Sequence, residues 1–248
     1  LLVGSNRPMN TREGGWKHQD STRILMHRED LLRTLRTWVH TAEPPLRTDT
    51  TDFNPRFTTS ASLLRLPSAN GDNPMAPLRM LAYRGLFTKV VPWERQYPVT
   101  MPESPLLDAA CVGLLIRTQG GGDDALARLG WVRVPIETAE PLFVYFNREV
   151  LPRYRLVETV HRARDAAEAQ AMLRGLDPRI AAVVEGPVTL PGGAVPGAPE
   201  RVKILRYTPG SVELEIDARR AAFLVAAEGW FPGWKAAIDG RSAPLYPA

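Results

Sequence analysis

The chain has 248 residues, is 44% hydrophobic and 23% charged, and carries a formal net charge of +4. These values are typical of a globular protein with a core, and no run approaches the roughly 18 apolar residues of a membrane span. The basic residues are scattered among carboxylates, which argues against nucleic-acid binding. A single cysteine, Cys111, cannot form an intrachain disulfide, and the four histidines lack metal-site spacing, so we expect no metal ion and no cofactor.

The first predicted element is a helix over residues 21–42, where apolar residues recur on one helical face. Ser21 is its expected N-cap, and Pro44 and Pro45 are expected to stop it. Residues 46–105 are rich in Pro, Asn, Asp and Thr. They predict irregular structure around short strands, with one short helix after "ANGDNP".

Residues 104–134 predict the order helix, strand, turn, helix, strand, with Cys111 in an apolar run that favours a buried structural cysteine. The turn Gly120-Gly121-Gly122 raises the question of a phosphate-binding loop. It lacks the G-x-G-x-x-G spacing, and no Lys-Ser/Thr pair follows it. Asp123 and Asp124 stand instead at the helix start, where they would repel a phosphate and favour capping of the helix.

Residues 141–186 predict strand, turn, strand, helix and strand. Asp165 and Glu168 have the spacing of a capping box at the start of that helix, and Gly175 is expected to end it. Residues 180–185 are a β-rich run. Together with the preceding elements, this pattern predicts an α+β domain over residues 1–186, with a mixed sheet and flanking helices.

The last part of the chain is predicted to be all β. Residues 187–199 are rich in Pro and Gly and indicate a linker. Hairpins are predicted around Pro209-Gly210 and Asp239-Gly240, with a buried strand over residues 221–227 between them. About five strands are too few for a complete sandwich of ~7 strands. Residues 200–248 are therefore predicted to form a partial β-sandwich-like subdomain, which either packs on the first domain or is followed by further strands.

The stretch "EGWFPGWKAAIDG" near the C-terminus admits two interpretations. In the first, Trp230 and Trp234 form a platform on which a sugar stacks, while Lys235 or Asp239 hydrogen-bonds its hydroxyls. In the second, Trp234 anchors a core, and Asp239-Gly240 is a type I′ turn. The alternation of Trp, Ala and Ile along residues 234–238 favours the second interpretation, with one face of a strand buried.

Four segments, in this order along the chain, carry a family resemblance: "SPLLDAACVGLLI", "LFVYFNREVLPRYRLVETV", "GLDPRIAAVVEG" and "FPGWKAAIDG". The last is the most specific. The second matches through a set of five residues, Tyr145, Asn147, Leu151, Pro152 and Arg153. Together the segments resemble the C-terminal part of the bacterial YfhO-type membrane protein family, well over residues 105–248 and loosely over 44–104.

The resemblance implies that the main chemistry lies outside this chain. YfhO-type proteins are large polytopic membrane proteins similar to GT-C glycosyltransferases, which use lipid-linked sugars, and some are implicated in decorating teichoic acids. Their C-terminal part is an extracytoplasmic domain, whereas the catalytic acidic residue lies in a loop among the membrane helices. The resemblance therefore assigns no catalytic residue here. It implies a location at the extracytoplasmic face of the cell membrane, with the protein's own transmembrane region as a partner.

Three functions stay open. The chain would assist sugar transfer from a lipid carrier to a cell-surface glycopolymer without catalysing it, or be a free-standing secreted carbohydrate-binding module, or be a structural ectodomain without a ligand. A basic outer face would meet anionic lipid headgroups or an anionic cell-envelope glycopolymer; its residues are Arg219, Arg220, Lys235 and Arg241. We expect both chain ends to be cuts, because "LLVGSNRP" lacks an initiator Met and a signal-peptide pattern, and the family continues with further strands beyond the second hairpin.

Overall fold

The structure is a computed structural model that describes residues 29–52, 57, 65–70, 77–89, 97–136, 141–188, 201–208, 210–218 and 221–248. The helices of these residues are α1 (Glu29–Val39), α2 (Leu78–Arg84), α3 (Pro105–Ala109), α4 (Asp123–Arg128) and α5 (Ala166–Leu173). The strands of the first part of the chain are β1 (Arg47–Thr50), β2 (Val112–Arg117), β3 (Trp131–Val134), β4 (Phe143–Asn147), β5 (Tyr154–Val157), β6 (Thr159–Ala163) and β7 (Ala181–Glu185). Those of the last part are β8 (Arg201–Thr208), β9 (Ser211–Asp217), β10 (Phe223–Ala226), β11 (Ala236–Ile238) and β12 (Arg241–Ala243).

The largest sheet is mixed, which confirms the predicted α+β class. Its strand order is β1-β2-β4-β3, with β1 parallel to β2 and the other neighbours antiparallel. Strand β2 is covered on both faces, so it is a continuous apolar run rather than an alternating one. Leu35 of α1 packs in one core cluster with Leu114, while Leu107 of α3 and Leu126 of α4 pack in another with Leu115.

The first predicted helix is present, but it ends three residues before its predicted end at residue 42. Helix α1 ends at Val39, before Pro44, whereas the predicted N-cap Ser21 lies outside the described residues. Cys111 is 1% exposed, which confirms a buried cysteine. Its carbonyl accepts a hydrogen bond from the backbone N–H of Arg47 at 2.8 Å, so the start of β1 is held against the residue that precedes β2.

The glycine-rich turn before α4 differs from its prediction in one respect. Gly121 and Gly122 have φ values of 101° and 73°, a conformation that favours glycine. Asp123 begins α4 as expected, but the prediction that its side chain caps the helix is wrong. Its carboxylate instead accepts hydrogen bonds from the Tyr145 hydroxyl at 2.6 Å and from Arg133 Nη1 at 3.0 Å. Two strong donors on neighbouring strands therefore hold this carboxylate at the sheet and not at the helix end.

Strands β6 and β7 are parallel and are joined by α5. The core beneath this helix includes Ala163, Ala169 and Val183. The predicted N-cap is confirmed, because Asp165 Oδ1 accepts a hydrogen bond from the Glu168 backbone N–H at 2.9 Å. In return, Glu168 Oε2 accepts a hydrogen bond from the backbone N–H of Arg164 at 2.6 Å. In a standard capping box this donor is the N–H of the N-cap residue itself, so the box here is shifted by one residue.

Both predicted C-terminal hairpins are confirmed. Strands β8 and β9 pair antiparallel, as do β11 and β12. Asp239 and Gly240 in the second turn have φ values of 50° and 76°, as a type I′ turn requires. The strand predicted as buried, β10, is present but only half-buried. The reason is that β10 pairs only with β5 among the described strands, which leaves much of its surface uncovered.

The C-terminal segment packs on the first part of the chain. Strand β10 pairs antiparallel with β5, and the backbone N–H of Ala227 extends this pairing to the Arg153 carbonyl at 2.8 Å. The last residues return to β7, where the Glu185 N–H donates to the Pro247 carbonyl at 3.0 Å. Most of the predicted linker, residues 189–199, lies outside the described residues. These contacts fix the position of the segment that carries the tryptophans.

Candidate functional site

The residues 229–234, named the aromatic loop here, present three aromatic rings to solvent. Phe231 is 65% exposed, and Trp230 and Trp234 are 40% and 39% exposed. The loop is internally ordered: the Trp234 backbone N–H donates to the Phe231 carbonyl at 3.1 Å, and Trp234 Nε1 donates to the Gly229 carbonyl at 3.3 Å. The rings therefore stand on a folded turn and not on an extended tail.

The interpretation of Trp234 as a core anchor is wrong. Its indole is exposed, and Ile238, which was expected to share the buried face, is 69% exposed. Strands β11 and β12 form a sheet of only two strands in the described part of the chain. Most residues of that hairpin are exposed in the described structure, so alternation of apolar residues along it does not produce a core.

The two predicted polar partners of the tryptophans lie at different distances from them. Lys235 is exposed and follows Trp234 directly. Asp239 is exposed in the turn between β11 and β12. At ~3.3 Å per residue of strand, it lies about 13 Å along the chain from Lys235. Trp230, Trp234 and Lys235 thus lie within six consecutive residues, whereas Asp239 lies in the turn at the far end of the hairpin.

A cluster of two arginines and one glutamate anchors the loop at its start. Glu228 accepts hydrogen bonds from Arg47 Nη2 at 3.1 Å, from Arg153 Nη1 at 3.4 Å and from the Tyr154 hydroxyl at 3.1 Å. Arg153 also donates to the Tyr207 hydroxyl at 3.1 Å. The cluster therefore joins β1, β5 and β8 to the residue that precedes the aromatic loop.

Burial shifts the pKa values of two members of this cluster, Arg47 and Tyr154. Desolvation lowers the pKa of the Arg47 guanidinium, and repulsion by Arg153 acts in the same direction. Desolvation raises the pKa of the Tyr154 hydroxyl, helped by the neighbouring Glu228 carboxylate. Tyr154 therefore stays a hydrogen-bond donor at neutral pH. The arrangement compensates the charges of two guanidiniums with one carboxylate, which indicates an anchoring role.

A second anchor holds the loop from the side of helix α2. The Arg79 guanidinium lies 5.7 Å from the centroid of the Trp230 ring. It also forms a two-point ion pair with Glu185 at the end of β7, with Nη2 at 3.1 Å from Oε2. Because one guanidinium contacts both groups, Trp230 is tied to α2 and β7.

Sequence reasoning missed the anchoring residues Arg47, Arg79 and Glu228. Arg47 and Glu228 are 181 residues apart and Arg79 and Glu185 are 106 apart, so no local pattern connects them. Arg153 does belong to a segment that carries the family resemblance. That resemblance identifies Arg153 as a matching residue but does not show that Arg153 contacts Glu228.

Two residues from separate segments of the family resemblance contact each other directly. Asn147 Nδ2 donates to Asp108 Oδ1 at 2.7 Å and to the Val112 carbonyl at 3.1 Å. Burial raises the pKa of the Asp108 carboxyl to about 6, while the hydrogen bond from Asn147 acts in the opposite direction. The pair joins the end of β4 to α3 and the start of β2, which gives both residues a structural role.

The remaining expectations concern the basic face, metal ions and membrane spans. Lys235 and Arg241 are exposed, whereas Arg219 and Arg220 lie outside the described residues. Among the residues that the structure describes, no group of three or more His, Cys, Asp or Glu side chains is placed to hold a metal ion. None of the described helices is long and apolar enough to cross a membrane.

Comparisons with known proteins add no relative. The chain matches no protein-family model, no curated protein and no solved structure.

Proposed function

We propose that this chain is the non-catalytic extracytoplasmic domain of a YfhO-like membrane protein, and that it holds an acceptor sugar during transfer of a lipid-linked sugar to a cell-surface glycopolymer. The observation that carries the proposal is the exposure of Trp230, Phe231 and Trp234 on one anchored loop. Several exposed rings on one short loop are typical of an interaction surface, because burying them against a ligand removes apolar area from water.

A sugar suits the chemistry of this loop. The apolar face of a pyranose ring can stack on an aromatic ring, while its hydroxyls need hydrogen-bonding partners. Lys235 supplies an exposed ammonium group next to Trp234. The exposed rings favour a carbohydrate-binding role over a structural ectodomain without a ligand, since a ligand-free scaffold gains nothing from leaving three aromatic rings in water.

Contacts between the resembling segments support the family part of the proposal. Asp108 and Asn147 come from two of these segments and share a hydrogen bond at 2.7 Å. Arg153, from the same segment as Asn147, contacts Glu228 just before the most specific segment. Residues that carry the resemblance are therefore used to hold one fold together.

A free-standing carbohydrate-binding module is the second candidate, and the same exposed rings favour it. The two candidates differ in what surrounds the chain and not in the loop. Several apolar spans of ~20 residues encoded upstream would support the membrane protein. A start codon and a signal peptide directly before Leu1 would instead support the secreted module.

Glycan binding by the chain itself tests the role of the loop. We would measure binding to an array of cell-envelope glycans, followed by calorimetry on the best ligand. Phe231→Ala is the cleanest variant, because this ring is the most exposed of the three. We expect it to weaken binding about tenfold, the size expected when a well-buried contact of about 1.4 kcal/mol is lost.

A matched control separates the loop from general surface effects. Leu205 on β8 is 48% exposed and lies outside the loop, so Leu205→Ala should leave affinity unchanged. Absence of glycan binding by the wild-type chain would refute the proposed role of the loop. Binding to vesicles containing anionic lipid, without glycan binding, would assign the loop to the membrane surface instead.

A further inference from the structure

The carboxylate of Glu228 is held between two guanidinium groups directly before the aromatic loop. Arg47 Nη2 and Arg153 Nη1 approach it at 3.1 and 3.4 Å, and the Tyr154 hydroxyl donates to it at 3.1 Å. The Glu228 side chain is three-quarters buried. Without this carboxylate, the two guanidiniums would repel each other in a site with little water.

The backbone on both sides of Glu228 is also held in place. Before it, the Ala227 N–H donates to the Arg153 carbonyl at 2.8 Å. After it, the Gly229 carbonyl accepts the hydrogen bond from Trp234 Nε1 at 3.3 Å. This carbonyl belongs to the peptide unit between Gly229 and Trp230, one residue after Glu228. Because only Gly229 separates it from Glu228, the position of Glu228 limits where the carbonyl can lie and so how the Trp234 indole is held.

We propose that Glu228 is a positioning residue for the sugar site: by bridging Arg47 and Arg153, it sets the Gly229 carbonyl that orients the indole of Trp234. This inference rests on the proposed function of the aromatic loop. Glu228 does not contact the sugar in this scheme, because its carboxylate faces the anchoring cluster. Its effect on the ligand passes through Trp234.

The test is Glu228→Gln, which keeps the side-chain volume and one acceptor for Tyr154 but removes the charge. The first readout is the NMR resonance of the Trp234 indole Nε1–H. We expect it to shift and its exchange with solvent to accelerate, because the Gly229 carbonyl is no longer held. The second readout is sugar affinity, which we expect to fall about tenfold, because a misdirected Trp234 indole loses a contact of about 1.4 kcal/mol with the sugar.

Glu215→Gln is the matched control. Glu215 pairs with Lys203 at 3.5 Å in an exposed ion pair on the β8–β9 hairpin, so the same chemical change should leave both readouts unchanged. Arg47→Lys covers the case in which Glu228→Gln does not fold. It keeps the positive charge but loses the forked geometry that reaches Glu228 and the Ala110 carbonyl, and it should shift the indole resonance in the same direction.

The two readouts separate this inference from the proposed function. If the wild-type chain binds no sugar, the proposed function fails, but the indole resonance still tests the role of Glu228. An unchanged indole resonance in a folded Glu228→Gln variant would overturn the inference. So would wild-type sugar affinity in that variant when the wild-type chain does bind sugar. A shift confined to Glu228→Gln and Arg47→Lys would support it.

Discussion

The buried ion pair between Asp49 and Arg84 joins helix α2 to the main sheet. Arg84 ends α2, and its two Nη atoms donate to the Asp49 carboxylate on β1 at 2.9 and 3.2 Å. The two side chains are 3% and 0% exposed. Helix α2 also carries Arg79, which contacts the Trp230 ring. The pair therefore supports one anchor of the aromatic loop.

Removing one member of this pair should cost nearly as much as removing both. Arg84→Met leaves a buried carboxylate without its cation, and Asp49→Leu leaves a buried guanidinium without its anion. Breaking a buried pair from one side costs about 3–5 kcal/mol. Arg84 also serves the carbonyls of Ala69 and Tyr97, at 3.0 and 2.6 Å, so the double variant stays destabilised. We expect its cost to resemble one single variant and not the sum of two.

Urea unfolding followed by circular dichroism gives the free energies for this double-mutant cycle. We expect a coupling energy of at least ~2 kcal/mol between Asp49 and Arg84. The matched control is the exposed pair Lys203–Glu215, at 3.5 Å, which should couple by no more than ~1 kcal/mol. A coupling for Asp49–Arg84 no larger than that of the control would refute the reasoning.

Three further predictions concern packing, pH and thiol reactivity. A Cβ at Gly113 would lie 2.7 Å from Leu46 Cβ, so Gly113→Ala should lower the free energy of unfolding by about 1–3 kcal/mol. The control is Gly175→Ala, which has open space around it and should change the free energy of unfolding by less than ~0.5 kcal/mol. Equal effects of the two substitutions would contradict this prediction. Burial raises the pKa of the Asp108 carboxyl from 3.8 to about 6. Its protonated form therefore contributes stability that is present below about pH 4 and is lost as the pH rises through 6. Asp108→Asn should remove this part of the pH dependence of the urea midpoint, and an unchanged pH profile would count against the prediction. Burial raises the pKa of the Cys111 thiol, so a thiol reagent should modify the folded protein far more slowly than the urea-unfolded chain. Similar modification rates would disprove that Cys111 is buried in the folded protein.

The elements that could be predicted from the sequence are those whose cause is local. The Asp239-Gly240 turn follows from the positive φ values that these two residues tolerate. The start of α5 follows from the spacing of Asp165 and Glu168. Strand β2 follows from a continuous apolar run that only a strand covered on both faces would need.

The errors share one cause, which is that a partner distant in sequence decided the outcome. Asp123 was expected to cap α4, but Gly122 takes the N-cap position, and Tyr145 and Arg133 hold the Asp123 carboxylate. Trp234 alternates with apolar residues as a core residue would, but its indole and the Ile238 side chain are exposed in the described structure. Alternation shows which side chains share a face, whereas burial also requires something to pack on that face.

The candidate site divides in the same way. The sequence by itself determined the Asp239-Gly240 turn and marked Trp230 and Trp234 as candidate site residues, because both follow from residues that are neighbours in the chain. Only the tertiary structure decided that the rings are exposed and that Arg47, Arg79 and Glu228 hold the loop. Those contacts join residues between 106 and 181 positions apart. Their formation depends on how the sheets pack, and a one-dimensional pattern carries no information about which distant charges will meet.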